Sequence, residues 1–250
     1  MAKDFEYLNG PRCVALTQVH RGHGVSTAAY YLGRVLVAQG LRVLLVDLTG
    51  RRARLGALVA HGPVKNLVYW APNIARSQDV ALALERARRE TAGKADVMLL
   101  DIDDALLDRI GGSALGVDYV VAVTEHTPGG QTAAERLAER LHDDPAPHGR
   151  VGVVFSRVDA PTATELPQRT ERRELPVIGY YPADYLLAAG DAYSLKGGDI
   201  ANPHDTYLYA LLRLGQRLAA IVPLQRVTAG SLSLGTQLPP SHETNGHHSA

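Results

Sequence analysis

Short runs rich in Val and Leu, alternating with segments of helical spacing, limit this chain to a narrow set of folds. "CVALTQV" (13–19), "RVLLVDL" (42–48), "VMLLDI" (97–102), "YVVAVTE" (119–125) and "VGVVFSRV" (151–158) are too short for helices and read as buried strands. Between them Ser26–Gln39, Asp79–Thr91, Ala105–Leu115 and Gly130–His142 repeat apolar residues at helical spacing, with charged outer positions. An alternating βαβα order predicts an α/β fold with a mostly parallel central sheet flanked by helices, three layers in all.

A further strand, "LPVIGYYP" (175–182), leads to a last helix over Asp205–Ile221, with Asp205 as its cap. Beyond it periodicity ends in a segment rich in Ser, Thr, Gly, Pro and His. With 250 residues, 46% of them hydrophobic, the expectation is a single domain over 1–222 and a disordered tail over 223–250.

The first strand runs into "VHRGHGVSTAAYYLG", Val19 to Gly33. Gly22, Gly24, Ser26 and Thr27 have the spacing of a phosphate-binding loop, in which backbone N–H groups and a helix N-terminus converge on an anion and glycines allow close approach. In G-x-x-x-x-G-K-[ST] a lysine reaches the terminal phosphates and the hydroxyl sits on Mg²⁺. Here Val25 stands at the lysine position and Val19 at that of the first glycine.

Together with "VLLVDLTGRRARL", the span 13–55 resembles the phosphate-loop NTPases of the ParA/MinD class and the related bacterial tyrosine kinases of polysaccharide export. "ADVMLLDIDD", "GVDYVVAVTEHT", "VGVVFSRVD" and "LPVIGYYPADYLLAAGDAYS" continue the likeness to about residue 221. The resemblance implies a P-loop NTPase fold, ATP and Mg²⁺ as ligands, and a homodimer that sandwiches nucleotide and works with a protein partner. Carried over by position, it puts Arg21, Gly22, His23, Gly24, Val25, Ser26 and Thr27 around the phosphates and Ser156 at the base-reading Asn. Ser26 and Asp101 fall on the Mg²⁺ side, and Asp47 on the first acidic residue of the second motif, the catalytic candidate.

Several departures fall at the chemistry. The family's second acidic residue is Thr49, its Thr-Pro-Pro after the Mg²⁺-side Asp is Ile102-Asp103-Asp104, and its extra signature lysine falls on His20. Loss of the loop lysine removes a charge-assisted contact of about 1.5–3 kcal/mol, roughly ten- to a hundredfold in affinity. Phosphoryl transfer depends more on that charge and suffers more. The expectation is a degenerate binding, scaffold or positioning factor with weak or absent nucleotide binding and little hydrolysis. Since the glycine nest remains, Val25→Lys is expected to raise ATP affinity. One alternative is an active ATP-dependent switch that has moved its cation to His20, Arg21 or the Arg51, Arg52, Arg54 turn. The other is a protein kinase, opposed by the absence of tyrosine from 224–250.

Composition bears on partners. Lys+Arg and Asp+Glu are both 26, so net charge gives no indication of nucleic-acid binding. His20 and His23 have no third ligand nearby in the sequence, which argues against a metal there. The single cysteine, Cys13, fits a reducing cytoplasm, and with no apolar signal core or 18-residue apolar window a cytoplasmic protein is expected.

Overall fold

The computed structural model describes residues 10–19, 22, 24–49, 53–61, 63–72, 77–110, 115–142, 151–158, 169–170, 175–181, 213–218 and 220. Seven strands form one sheet: β1 (Arg12–Gln18), β2 (Val43–Asp47), β3 (Leu67–Trp70), β4 (Val97–Asp103), β5 (Tyr119–Glu125), β6 (Val151–Ser156) and β7 (Val177–Tyr181). Their order is β3-β2-β4-β1-β5-β6-β7 and every pairing between them is parallel. The helices are α1 (Val25–Ala38), α2 (Ala53–His61), α3 (Ser77–Thr91), α4 (Asp104–Ile110) and α5 (Pro128–His142), and 213–218 are also helical.

Strand alternation divides the interior in two. Val14 and Leu16 of β1, Val43 and Leu45 of β2, and Val97 and Leu99 of β4 pack with α1 and α2. Their neighbours Cys13, Ala15, Leu44, Met98 and Leu100 face the other way, into a second core with α3, α4 and α5. A parallel sheet covered on both faces requires apolar residues at consecutive positions, which is why the strands read as unbroken apolar runs. α1 is buried almost all round, from Thr27 to Leu36, and forms the centre of its layer.

Two elements were not foreseen, α2 and β3. Of β3 only Leu67 is buried while Val68, Tyr69 and Trp70 are half-exposed at the sheet's edge, so a four-residue run carries little apolar signal. The helix expected over Ala105–Leu115 is seen over Asp104–Ile110; 111–114 lie outside the described residues, and Leu115 lies in a turn. α5 begins earlier than expected, at Pro128, whose fixed φ suits a first helical position. Thr127 caps it, its Oγ1 accepting the Gly130 N–H at 3.1 Å. The proposed Asp205 cap and the tail over 223–250 lie outside the described residues.

At the N-terminal edge of the sheet, polar groups tie the strands together. Arg42 and Asp96 form a buried ion pair at 3.0 Å, and Asp96 also accepts the Arg42 N–H at 2.7 Å. Asp118 accepts the Cys13 N–H at 2.7 Å and pairs with Arg12 at 3.2 Å.

Candidate functional site

The C-terminal edge of the sheet, where open α/β folds bind ligands, brings together the end of β1, the start of α1, Asp47, Asp101 and Ser156. Gly24 ends the loop in the left-handed region, φ 75 and ψ 23, and caps α1 without a side chain. Gly22 also has positive φ, 93. Both conformations suit glycine, and they turn the chain from β1 into a helix whose first N–H groups lack intrahelical acceptors.

Parallel pairing places Asp47 directly opposite Asp101, and Asp101 opposite Leu16. Both aspartates continue the strand positions that face α1. Asp47 is fully engaged: its Oδ1 accepts the Thr49 N–H at 3.0 Å and the Thr49 hydroxyl at 2.7 Å, and its Oδ2 accepts the Tyr69 hydroxyl at 3.3 Å. Asp101 is 2% exposed and, among the described residues, its Oδ2 has no hydrogen-bond partner. Burial pushes its pKa up to about 7; the hydrogen bond from Ser26 opposes this, and the charges of Asp47 and Asp103 add to it.

A buried, unpartnered carboxylate oxygen beside a serine hydroxyl is a hard-oxygen donor set that fits Mg²⁺, an ion that completes its shell with water and phosphate oxygens. Among the described residues no group of three or more His, Cys, Asp or Glu side chains is arranged to hold a metal. Thr27, also buried, likewise has an unpartnered Oγ1.

Val25, at the lysine position, is 4% exposed and belongs to the core around α1, with its backbone N–H at the helix start. Ser156 is 1% exposed and its hydroxyl donates to the Thr124 carbonyl at 3.3 Å, so the side chain is turned inward. Asp104 opens α4 and Asp103 ends β4. His20, Arg21, His23, Arg51 and Arg52 lie outside the described residues, and Arg54 falls within α2.

Other residues at this edge were not anticipated. Gln18 Oε1 accepts the Gly22 N–H at 3.3 Å, a contact that its four-residue spacing from the loop glycine suggests in retrospect. Arg157 Nη2 donates to the Gly22 carbonyl at 2.8 Å across 135 positions of sequence, and Tyr69 reaches Asp47 across 22. Neither pairing has a local sequence signal.

No protein-family model matches the chain, and no curated protein matches it. Solved structures do. The MinC:MinD cell division protein complex of Aquifex aeolicus matches at TM-score 0.63 and 18% identity over 86% of this chain and 99% of that one. A ParA family ATPase from Chlorobium tepidum TLS matches at 0.61 and 16%, over 83% and 98%. The septum site-determining protein MinD complexed with Mg-ADP, from Pyrococcus horikoshii OT3, matches at 0.61 and 15%, over 83% and 96%. At these identities the likeness establishes the fold: a P-loop NTPase α/β fold of the MinD and ParA kind, spanning nearly the whole length of each relative.

Proposed function

We propose that this chain, on a MinD/ParA fold, is a positioning or scaffold factor of the cytoplasm that binds Mg-nucleotide weakly and hydrolyses it little. The carrying observation is the burial of Val25 in the core at the lysine position, which leaves the phosphate end of the loop without that lysine's charge. Two further features support residual binding: the left-handed glycines before α1, and the Ser26–Asp101 pair with its unpartnered oxygen.

In this reading Ser26 and Asp101 hold Mg²⁺, which when bound supplies charge neutralisation to the phosphates. The N–H groups at the start of α1 hold phosphate oxygens. The acidic position that precedes the second-motif arginines carries Thr49, whose hydroxyl and N–H are spent on Asp47, so no second carboxylate stands there to orient water. A protein held in one nucleotide state acts through what it binds. The proposed partners are a second copy of the chain and another protein, as a MinD is found with MinC.

Calorimetric titration of the purified chain with ATP, with and without Mg²⁺, tests the reading. Expected are Mg²⁺-dependent affinity roughly ten- to a hundredfold below that of a lysine-bearing relative, and near-absent turnover. Turnover equal to such a relative's and abolished by Arg21→Ala would establish the active switch instead. Absence of all binding would reduce the loop to a structural element.

A further inference from the structure

Side chains from two strand ends meet at Gly22, and a third reaches it through Arg157. Its N–H donates to Gln18 Oε1 at the end of β1, at 3.3 Å, and its carbonyl accepts from Arg157 Nη2, just beyond β6, at 2.8 Å. Arg157 Nη1 lies 3.7 Å from Glu125 Oε1 at the end of β5. The backbone of Arg157 is itself unusual, with φ 57, a left-handed conformation that a non-glycine residue adopts at a cost and that concentrates at functional sites.

These contacts contribute little to the fold. The Arg157 side chain is 57% exposed and its ion pair with Glu125 is long, a kind of pair that stabilises weakly in water. Their effect is local. Gly22 has the widest conformational freedom of any residue type, and a side chain on its N–H and another on its carbonyl restrict it. In a lysine-bearing loop the bound phosphate and the lysine help to impose the shape. With Val25 in the core, any ordering left to the anion subtracts directly from its affinity.

We infer that Gln18 and Arg157 are positioning residues that hold Gly22 of the phosphate loop in its left-handed conformation before an anion arrives, with Arg157 the dominant clamp. The inference rests on the reading of the loop as a Mg-nucleotide site. Arg157 acts through Gly22, and Glu125 keeps its guanidinium beside that residue. Five N–H donors let one guanidinium serve the carbonyl and the carboxylate together.

Arg157→Ala, Arg157→Lys and wild type are compared by Mg-ATP titration, by amide hydrogen exchange over residues 24–28 without nucleotide, and by thermal melting. Arg157→Ala is expected to lower affinity about tenfold, the loss of one charged hydrogen bond, and to speed exchange at the start of α1. Melting should shift by less than about 2 °C, because the side chain is exposed. Arg157→Lys should recover most of both effects, since an ammonium also donates to a carbonyl. Wild-type affinity in Arg157→Ala overturns the inference; so does lower affinity with unchanged exchange, which would make Arg157 a direct ligand. If wild type binds no nucleotide, the functional reading falls by itself and the exchange comparison still decides the clamp: unchanged exchange in Arg157→Ala overturns it.

Discussion

Asp47 and Asp101 stand opposite each other on adjacent parallel strands, yet the first has hydrogen bonds to both carboxylate oxygens while the second has a buried oxygen with none. The division follows from their neighbours. Asp47 ends β2, where the chain turns and Thr49 folds back on it, and Tyr69 approaches from β3. Asp101 lies two residues inside β4, flanked by β1 and β2 and covered by α1, with the Ser26 hydroxyl as its hydrogen-bond donor.

This predicts a pH signature. The folded-state pKa of Asp101, about 7, lies above the ordinary carboxylate value of 3.8, so the folded protein holds a proton that the unfolded chain has released. The associated stability is present in full below pH 3.8 and is lost as pH rises toward 7. In Mg²⁺-free urea titrations, Asp101→Asn should flatten this decline and be more stable than wild type at pH 8, by roughly 2–4 kcal/mol. A variant with an unchanged pH profile would place the proton elsewhere.

Val25→Lys should not rebuild the site. An ammonium in the α1 core lacks a partner, and a cost of about 2–3 kcal/mol lowers the melting midpoint by roughly 5 °C or more in a chain of this size. No gain in ATP affinity accompanies it. Tenfold tighter binding with an unchanged midpoint would show instead that the side chain reaches the loop opening.

Tyr69→Phe removes one hydrogen bond from Asp47 while keeping the ring. The expected loss is about 1 kcal/mol in urea unfolding. Thr49→Val removes another donor, and because both variants act on one carboxylate, the double variant should depart from additivity by about 0.5 kcal/mol or more. Strict additivity would mean that the two hydroxyls do not share Asp47.

Arg42→Met removes the guanidinium that neutralises buried Asp96 and should destabilise by about 3–5 kcal/mol, whereas replacing both residues by apolar ones should cost much less. Nucleotide titration of the folded variant should match wild type, because the pair sits at the sheet edge opposite the loop. An equal loss from single and double replacements would deny the pair its structural role.

Six of the seven strands and the α/β architecture were legible in the sequence because their signals are local. Apolar runs such as "VLLVD" and "YVVAV" need no distant partner to be recognised, and Gly22, Gly24 and Ser26 fall within five positions of one another. Even there, β3 escaped notice, since an edge strand half-exposed over Val68–Trp70 lacks a continuous apolar signature. Tertiary structure alone decided how the site is furnished. Whether Val25 faces phosphate or core depends on how α1 sits on the sheet. Which aspartate is satisfied depends on the register that sets Asp47 beside Asp101 and on Tyr69 arriving from a neighbouring strand. That Gly22 is held by Arg157 depends on two strand ends 135 positions apart meeting at one edge. Spacing along a chain sets backbone conformation, but the partners of a polar atom are chosen by packing among segments remote in sequence.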